Sequence, residues 1–171
     1  MGVRVEPYGA RHAAAFQALA ADARVAATTL VPHPYPPGAA SAFVRQAAEA
    51  RRRREAFAFA VLAEDAGGEV VVGSCGLKNV DWAARQGEIG YWIGVPYWGQ
   101  GYASAAVRLV TDYGARELGL RRIVAEVLGG NAASERVLAK AGYRPVRTFP
   151  NPSPRHEGRP TSLYAVDLPA G

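Results

Sequence analysis

The order of hydrophobic periodicities predicts a mixed α/β (α+β) layer with a partly parallel sheet. Two observations carry this. Strand-like segments joined by short turns fill the middle of the chain, and helix-period and strand-period segments alternate after the glycine-rich stretch at Gly99 and Gly101. The 171 residues are 49% hydrophobic and 20% charged, enough for one good core. With no repeat, low-complexity tail or interdomain linker, residues 1–171 are expected to form a single domain.

Val3-Arg4-Val5-Glu6-Pro7 reads as a short strand, and the alanine-rich stretch over roughly residues 10 to 23 as a helix. Residues 31–38 hold four prolines, which remove donors and forbid a helix, so they form a loop. A second helix runs from about Ala40 to Arg53. Ala56 to Leu62 is a strand, the segment from Glu64 to Gly68 a turn, and Glu69 to Val80 the returning strand of a hairpin. Glu88 to Val95 adds a third. The pattern then changes to helix (102–118), strand (Arg121 to Leu128), helix (132–141) and strand (Tyr143 to Thr148). A loop from Pro150 to Pro160 leads to the last strand, Ser162 to Val166.

Composition narrows the function classes. One cysteine, Cys75, permits no intramolecular disulfide, and no Cys/His cluster has zinc-site spacing, so no metal is expected. Cys75 lies in an apolar strand with no histidine near it in sequence, which argues against a nucleophile. The N-terminus lacks the apolar core of a signal peptide, Glu6 stands where a myristoylation signal has Ser or Thr, and no apolar run spans a bilayer. A reducing, cytoplasmic location and no membrane partner are the expectation. The net charge is +5, and the densest basic cluster is Arg51-Arg52-Arg53-Arg54 at the end of a helix, where cations oppose the negative end of the dipole. That run reads as a solvated helix end, with an acidic partner surface as the other possibility. Aromatics are not interleaved with it, so no direct nucleic-acid contact is expected.

The segment that carries chemistry runs from Glu88 to Ala106, passing from a strand through Trp98-Gly99-Gln100-Gly101-Tyr102-Ala103 into a helix. Gly99 and Gly101 let successive N–H groups point into one concavity, and the positive end of the following helix adds to the field. The turn is therefore either an anion site built from backbone or simply a tight strand-to-helix connection. It lacks the Gly-x-x-x-x-Gly-Lys-Ser/Thr loop and the third glycine of the dinucleotide fingerprint.

Trp98 to Ala103 resembles the cofactor signature Gln/Arg-x-x-Gly-x-Gly/Ala of the GCN5-related N-acetyltransferase (GNAT) superfamily, Trp98 departing from Gln or Arg. The wording Tyr-Trp-Gly-Gln-Gly-Tyr-Ala is typical of the RimJ/RimL-type ribosomal-protein N-acetyltransferase branch. Downstream, Asn131-Ala132-Ala133-Ser134 through Lys140-Ala141-Gly142-Tyr143 is similar to that branch's Asn-x-x-Ser-x-x-Val/Leu-x-x-Lys-x-Gly-Phe/Tyr, with one strand between the two motifs. The order of elements over residues 3 to 167 agrees with the same fold.

The resemblance implies a mostly antiparallel central sheet with a splayed parallel pair and helices on both faces. It implies acetyl-CoA as cofactor, its pyrophosphate on Trp98, Gly99, Gln100, Gly101, Tyr102 and Ala103, and its pantetheine arm against Ile93, Gly94, Val95 and Asn131. Glu88 is the candidate proton acceptor for the attacking amine, or an exposed strand-end carboxylate. Ser134 is the candidate donor to the leaving thiolate, or an ordinary third helical position after an Asn131 cap. Of Tyr91 and Trp92, which alternate on the strand, one is expected in the core and the other at the acceptor. His33 and His156 lie in loops where the family places its acceptor pocket, and Tyr143 reads as a core aromatic.

The implied acceptor is a primary amine, first a protein N-terminus of the ribosomal-protein type. A polyamine, amino acid or antibiotic amine and a non-catalytic acyl-CoA-binding role are the alternatives. Either a monomer or a homodimer fits.

Overall fold

The computed structural model describes residues 2–170. Strands β1 (Val3–Pro7), β2 (Phe57–Asp65), β3 (Gly68–Asp81) and β4 (Gln86–Ile93) form an antiparallel meander. β5 (Arg122–Leu128) lies parallel to β4, and β6 (Arg144–Pro150) and β7 (Pro160–Asp167) complete a seven-stranded sheet of order β1-β2-β3-β4-β5-β7-β6. Mostly antiparallel pairing with one parallel pair is the arrangement the sequence predicts. Among the described residues no helix is long and apolar enough to cross a membrane.

Helices α1 (Ala13–Ala20), α2 (Ala23–Ala26) and α3 (Ala39–Arg52) precede β2; α4 (Tyr102–Arg116) follows β4 and α5 (Ala132–Lys140) follows β5. α4 carries Ala103, Ala106, Val107 and Val110 at helical spacing and turns them onto Ile89, Ile93, Ile123 and Val127. Val107 and Val110 are fully buried, and each contributes about 1.5–3 kcal/mol by leaving water. On the opposite face Phe16 of α1 and Ala40 and Val44 of α3 pack with Tyr8, Ala60 and Leu62.

Two expectations are corrected. The single helix over residues 10 to 23 is broken twice. His12 turns its Nδ1 back to accept the Gly9 N–H at 2.9 Å, which opens the segment as a 3-10 turn. The Asp22 carboxylate accepts the Arg24 N–H at 2.9 Å and caps a new helix, α2.

The arginine run is a solvated helix end at Arg52 to Arg54, as expected, but not at Arg51. The Arg51 guanidinium lies over the Phe59 ring, 4.7 Å from its centroid, and donates to Tyr113 Oη and the Ala58 carbonyl. Arg52 and Arg53 pair with Glu49, and Arg54 stacks on Trp82 at 4.5 Å.

Candidate active site

The parallel ladder between β4 and β5 is short. It pairs Gln86 with Arg122, Gly87 with Ile123 and Glu88 with Val124, and then the strands part. Gly94 N–H donates to the Val72 carbonyl at 2.8 Å, so by ladder alternation the backbone groups of Tyr91 and Ile93 face the opening. A cleft of about 1090 Å³ runs through this gap and reaches both faces of the sheet.

The opening changes the reading of Ile93, Gly94 and Val95. Gly94 spends its N–H on Val72 and its carbonyl on Tyr97, and Val95 begins a 3-10 turn, so of these three residues it is Ile93 that presents backbone to the gap. The Ile93 carbonyl accepts the Trp98 indole N–H at 2.8 Å. Trp98, the residue that departs from the family signature, thus closes the rim of the gap with its side chain.

Gly99 (φ +76°) and Gly101 (φ +81°) both adopt left-handed backbone, which a Cβ would strain. The result is a run of six N–H groups, Gly99 through Ser104, that find no acceptor among the described residues. The last three open helix α4, where such donors lack intrahelical partners and the dipole is positive. Gln100 Oε1 accepts the Tyr102 hydroxyl at 3.1 Å and pins the turn. Unpartnered donors at the mouth of a cleft fit a phosphate.

On the same face Asn131 caps α5: its Oδ1 accepts the Ser134 N–H at 3.2 Å, which leaves the amide NH₂ for the cleft. Ser134 Oγ and the Tyr91 hydroxyl are 2.6 Å apart. Tyr91 therefore stands on the α4–α5 side with Ser134, on the opposite face of the strand from Trp92. Burial is the chief reason its phenol is pushed up to about 12, with the Ser134 bond acting in the opposite direction. Tyr143 is a core aromatic, its hydroxyl 2.8 Å from Thr111 Oγ1.

Even-numbered positions of β4 and β5 face the other side. Glu88 lies in the cleft wall with 17% of its side chain exposed, 3.7 Å from Lys78 Nζ. A bulge between Lys78 and Asp81 sets Asn79 at φ +50°, and its amide donates to Glu88 Oε2 at 2.8 Å. Glu126 stands on β5 two residues past the last pair and lines the same cleft. Burial, and then the charge of Glu88, raise its carboxyl above the ordinary value. Sequence reasoning missed Glu126; a carboxylate within the apolar strand Arg122–Leu128 was the one local hint, and its place at the splay is visible only in the sheet. Trp92 is also on this face, edge-on to Phe16 at 5.2 Å.

Loops roof this side. His156 Nε2 lies 3.1 Å from the Thr29 carbonyl, and Arg155 donates to the carbonyls of Ala26 and Val31, tying the β6–β7 loop to the end of α2 and the segment after it. His156 is buried and lines the cleft, whereas His33 is exposed and stands outside its lining, because the proline-rich loop turns it to solvent. Cys75 is fully buried on β3, and desolvation pushes its thiol far up, which leaves it inert.

The sheet thus opens between two parallel strands, with a run of unpartnered N–H groups on one face. An acetyltransferase (GNAT) domain profile matches residues 3–144, and the chain belongs to the GNAT acetyltransferase family. It is 39% identical over 74 residues to the uncharacterized N-acetyltransferase p20 of Bacillus licheniformis, a match covering 43% of this chain and 42% of p20. The chain spans less than half the length of the curated relatives it matches.

Among solved structures, RimL, a ribosomal L7/L12 alpha-N-protein acetyltransferase in complex with coenzyme A, superposes with a TM-score of 0.87 at 16% identity, over 97% of this chain and 94% of that one. Spermidine N-acetyltransferase from Vibrio cholerae, in complex with CoA and spermine, gives 0.78 at 15%, over 96% and 95%.

Proposed function

We propose that this chain transfers an acetyl group from acetyl-CoA to a primary amine, and that the amine is an α-amine at a protein N-terminus. The observation that carries the reading is the through-sheet cleft, with partner-free N–H donors on one face and the Glu88–Glu126 carboxylates on the other. Acetyl-CoA, when bound, supplies the thioester carbonyl.

The N–H groups from Gly99 to Ser104 hold the pyrophosphate; charge-assisted bonds of about 1.5–3 kcal/mol each make a few of them sufficient for useful affinity. The Ile93 N–H and the Asn131 amide orient the pantetheine arm along the gap. The amine nitrogen forms its bond to the acyl carbon as the C–S bond breaks, and two proton positions are then needed. Glu88, held by Asn79 and Lys78, takes the amine proton directly or through one water. Ser134 gives a proton to the thiolate and draws on Tyr91, whose phenol stays protonated at neutral pH.

An α-amine with a pKa of about 7.7–8.0 is already roughly a tenth neutral at pH 7, so one modest carboxylate base is enough; a lysine at about 10.4 is neutral in only a few molecules per ten thousand. The superposition on RimL supports the same choice of acceptor. A small-molecule amine is the second reading, favoured by the tied roof over the acceptor side and by the superposition on spermidine N-acetyltransferase.

The test is to incubate the protein with acetyl-CoA and a panel of peptides and small amines, following thiol release and acceptor mass. Acetylated peptide α-amines are expected. Binding of CoA without turnover of any amine would point to a non-catalytic acyl-CoA-binding protein, and no stabilisation of the fold by CoA would overturn the cofactor assignment.

A further inference from the structure

The acceptor side of the cleft has an uneven distribution of charge and apolar surface. Its wall near Trp92 is made of Phe16, Tyr35 and Phe43, with ring centroids of Phe16 and Phe43 5.0 Å apart in a stack and of Phe16 and Tyr35 5.9 Å apart. Val25 and Val31 continue this wall toward the roof. Among the residues that line the whole cleft the only carboxylates are Glu88 and Glu126, and both stand where the strands part. The other charged side chains in the lining are cations. Lys78 sits 3.7 Å from Glu88, Arg24 is held by Asp22 near the roof, and Arg136 and Lys140 lie on α5.

From this distribution we infer that the acceptor is a primary amine with a single positive charge, carried on a large apolar or aromatic body. The inference rests on the transferase reading above and narrows its substrate. The ammonium settles between Glu88 and Glu126 before losing its proton. The attached body lies against Phe16, Tyr35, Phe43 and Trp92, where it removes apolar surface from water. A second ammonium a few bonds away would meet rings and Arg24 with no carboxylate to pair with, and leaving a charge desolvated and unpaired is strongly unfavourable. For a peptide, the same logic selects a bulky apolar first residue over an acidic one, whose carboxylate would face Glu88 and Glu126.

The experiment compares kcat/KM for two matched pairs: pentylamine against the diamine cadaverine, and a peptide beginning with Leu against the same peptide beginning with Asp. CoA-induced thermal stabilisation is measured alongside. The monoamine and the Leu peptide are expected to be favoured by at least about tenfold, in line with discrimination by apolar pockets. Tyr35→Glu, a change at a half-exposed wall position, is expected to bring the cadaverine ratio down by about tenfold while CoA stabilisation stays as it was. Equal or better use of cadaverine or of the Asp peptide by the unaltered protein overturns the inference. So does a Tyr35→Glu variant that binds CoA normally and shows an unchanged ratio. Failure of every amine in a protein that CoA still stabilises overturns it too, leaving the cofactor assignment in place. Loss of CoA stabilisation in the unaltered protein sinks the underlying reading instead.

Discussion

On the α4–α5 side the cleft is bounded by consecutive residues, Gly99 to Ser104, whose backbone N–H groups face the opening. On the α1–α3 side it is bounded by Phe16, Tyr35, Glu88, Trp92, Glu126 and His156, side chains drawn from distant parts of the chain. The first arrangement fixes a ligand through main chain and leaves a written trace, two glycines followed by a helix. The second depends on side-chain identity and on how the sheet brings separate segments together. One side is therefore suited to a constant ligand and the other to a particular one.

Gly101→Val attacks the first side alone and has the largest expected effect. A β-branched residue at φ +81° is strained, and the turn must distort the N–H cradle to relieve it. CoA affinity is expected to fall by about a hundredfold or more, combining strain with the loss of charge-assisted bonds. Calorimetric titration with CoA checks this, and affinity within threefold of the original would break the distinction between the two sides.

Glu88→Gln attacks the second. It is expected to slow transfer about a hundredfold for a lysine-like acceptor and by less than about tenfold for an α-amine, because only the former needs a strong push to lose its proton. CoA affinity should stay within twofold. Equal slowing for both acceptors would argue against a role as base.

What was legible in the sequence divides along the same line. The hairpin, α4, β5 and α5 were placed within a few residues because glycine turns and apolar periodicity are local signals. The cradle and the Asn131 cap were legible for the same reason. The positions of His33 and Tyr91 were not, since neither the direction of a proline-rich loop nor the face of a strand in a cleft open to both sides is a local property. Glu126 was missed because its significance lies in the parting of β4 from β5, which its own neighbours in sequence do not encode. Arg51 was misread because the rings that cover it, Phe57, Phe59 and Tyr113, come from β2 and α4.

A smaller effect sharpens the electrostatics of the second side. Glu126 is held above the ordinary carboxylate value by burial first and by Glu88 second. Glu88→Gln removes the second cause and leaves the first, so the Glu126 carboxyl should titrate lower than in the unaltered protein and still above an ordinary glutamate. The sign follows from a nearby negative charge disfavouring ionisation. NMR titration of the side-chain carboxyl checks it, and an unchanged midpoint would separate the two groups electrostatically. The smallest effect is expected for His33→Ala: kcat/KM within twofold, as suits an exposed residue outside the cleft.

The central claim is that one ligand enters from each face and that they meet in the gap. Backbone amide and side-chain NMR of the protein titrated with CoA, and then with an amine acceptor, tests it most directly. The account predicts that CoA shifts the amides of Gly99 to Ser104, Ile93 and Ser134 and leaves the rings of Tyr35 and Phe43 in place, and that the amine then shifts those rings together with the Glu88 and Glu126 carboxyls. CoA signals confined to the Tyr35 and Phe43 face, or none at Gly99 to Ser104, would contradict it.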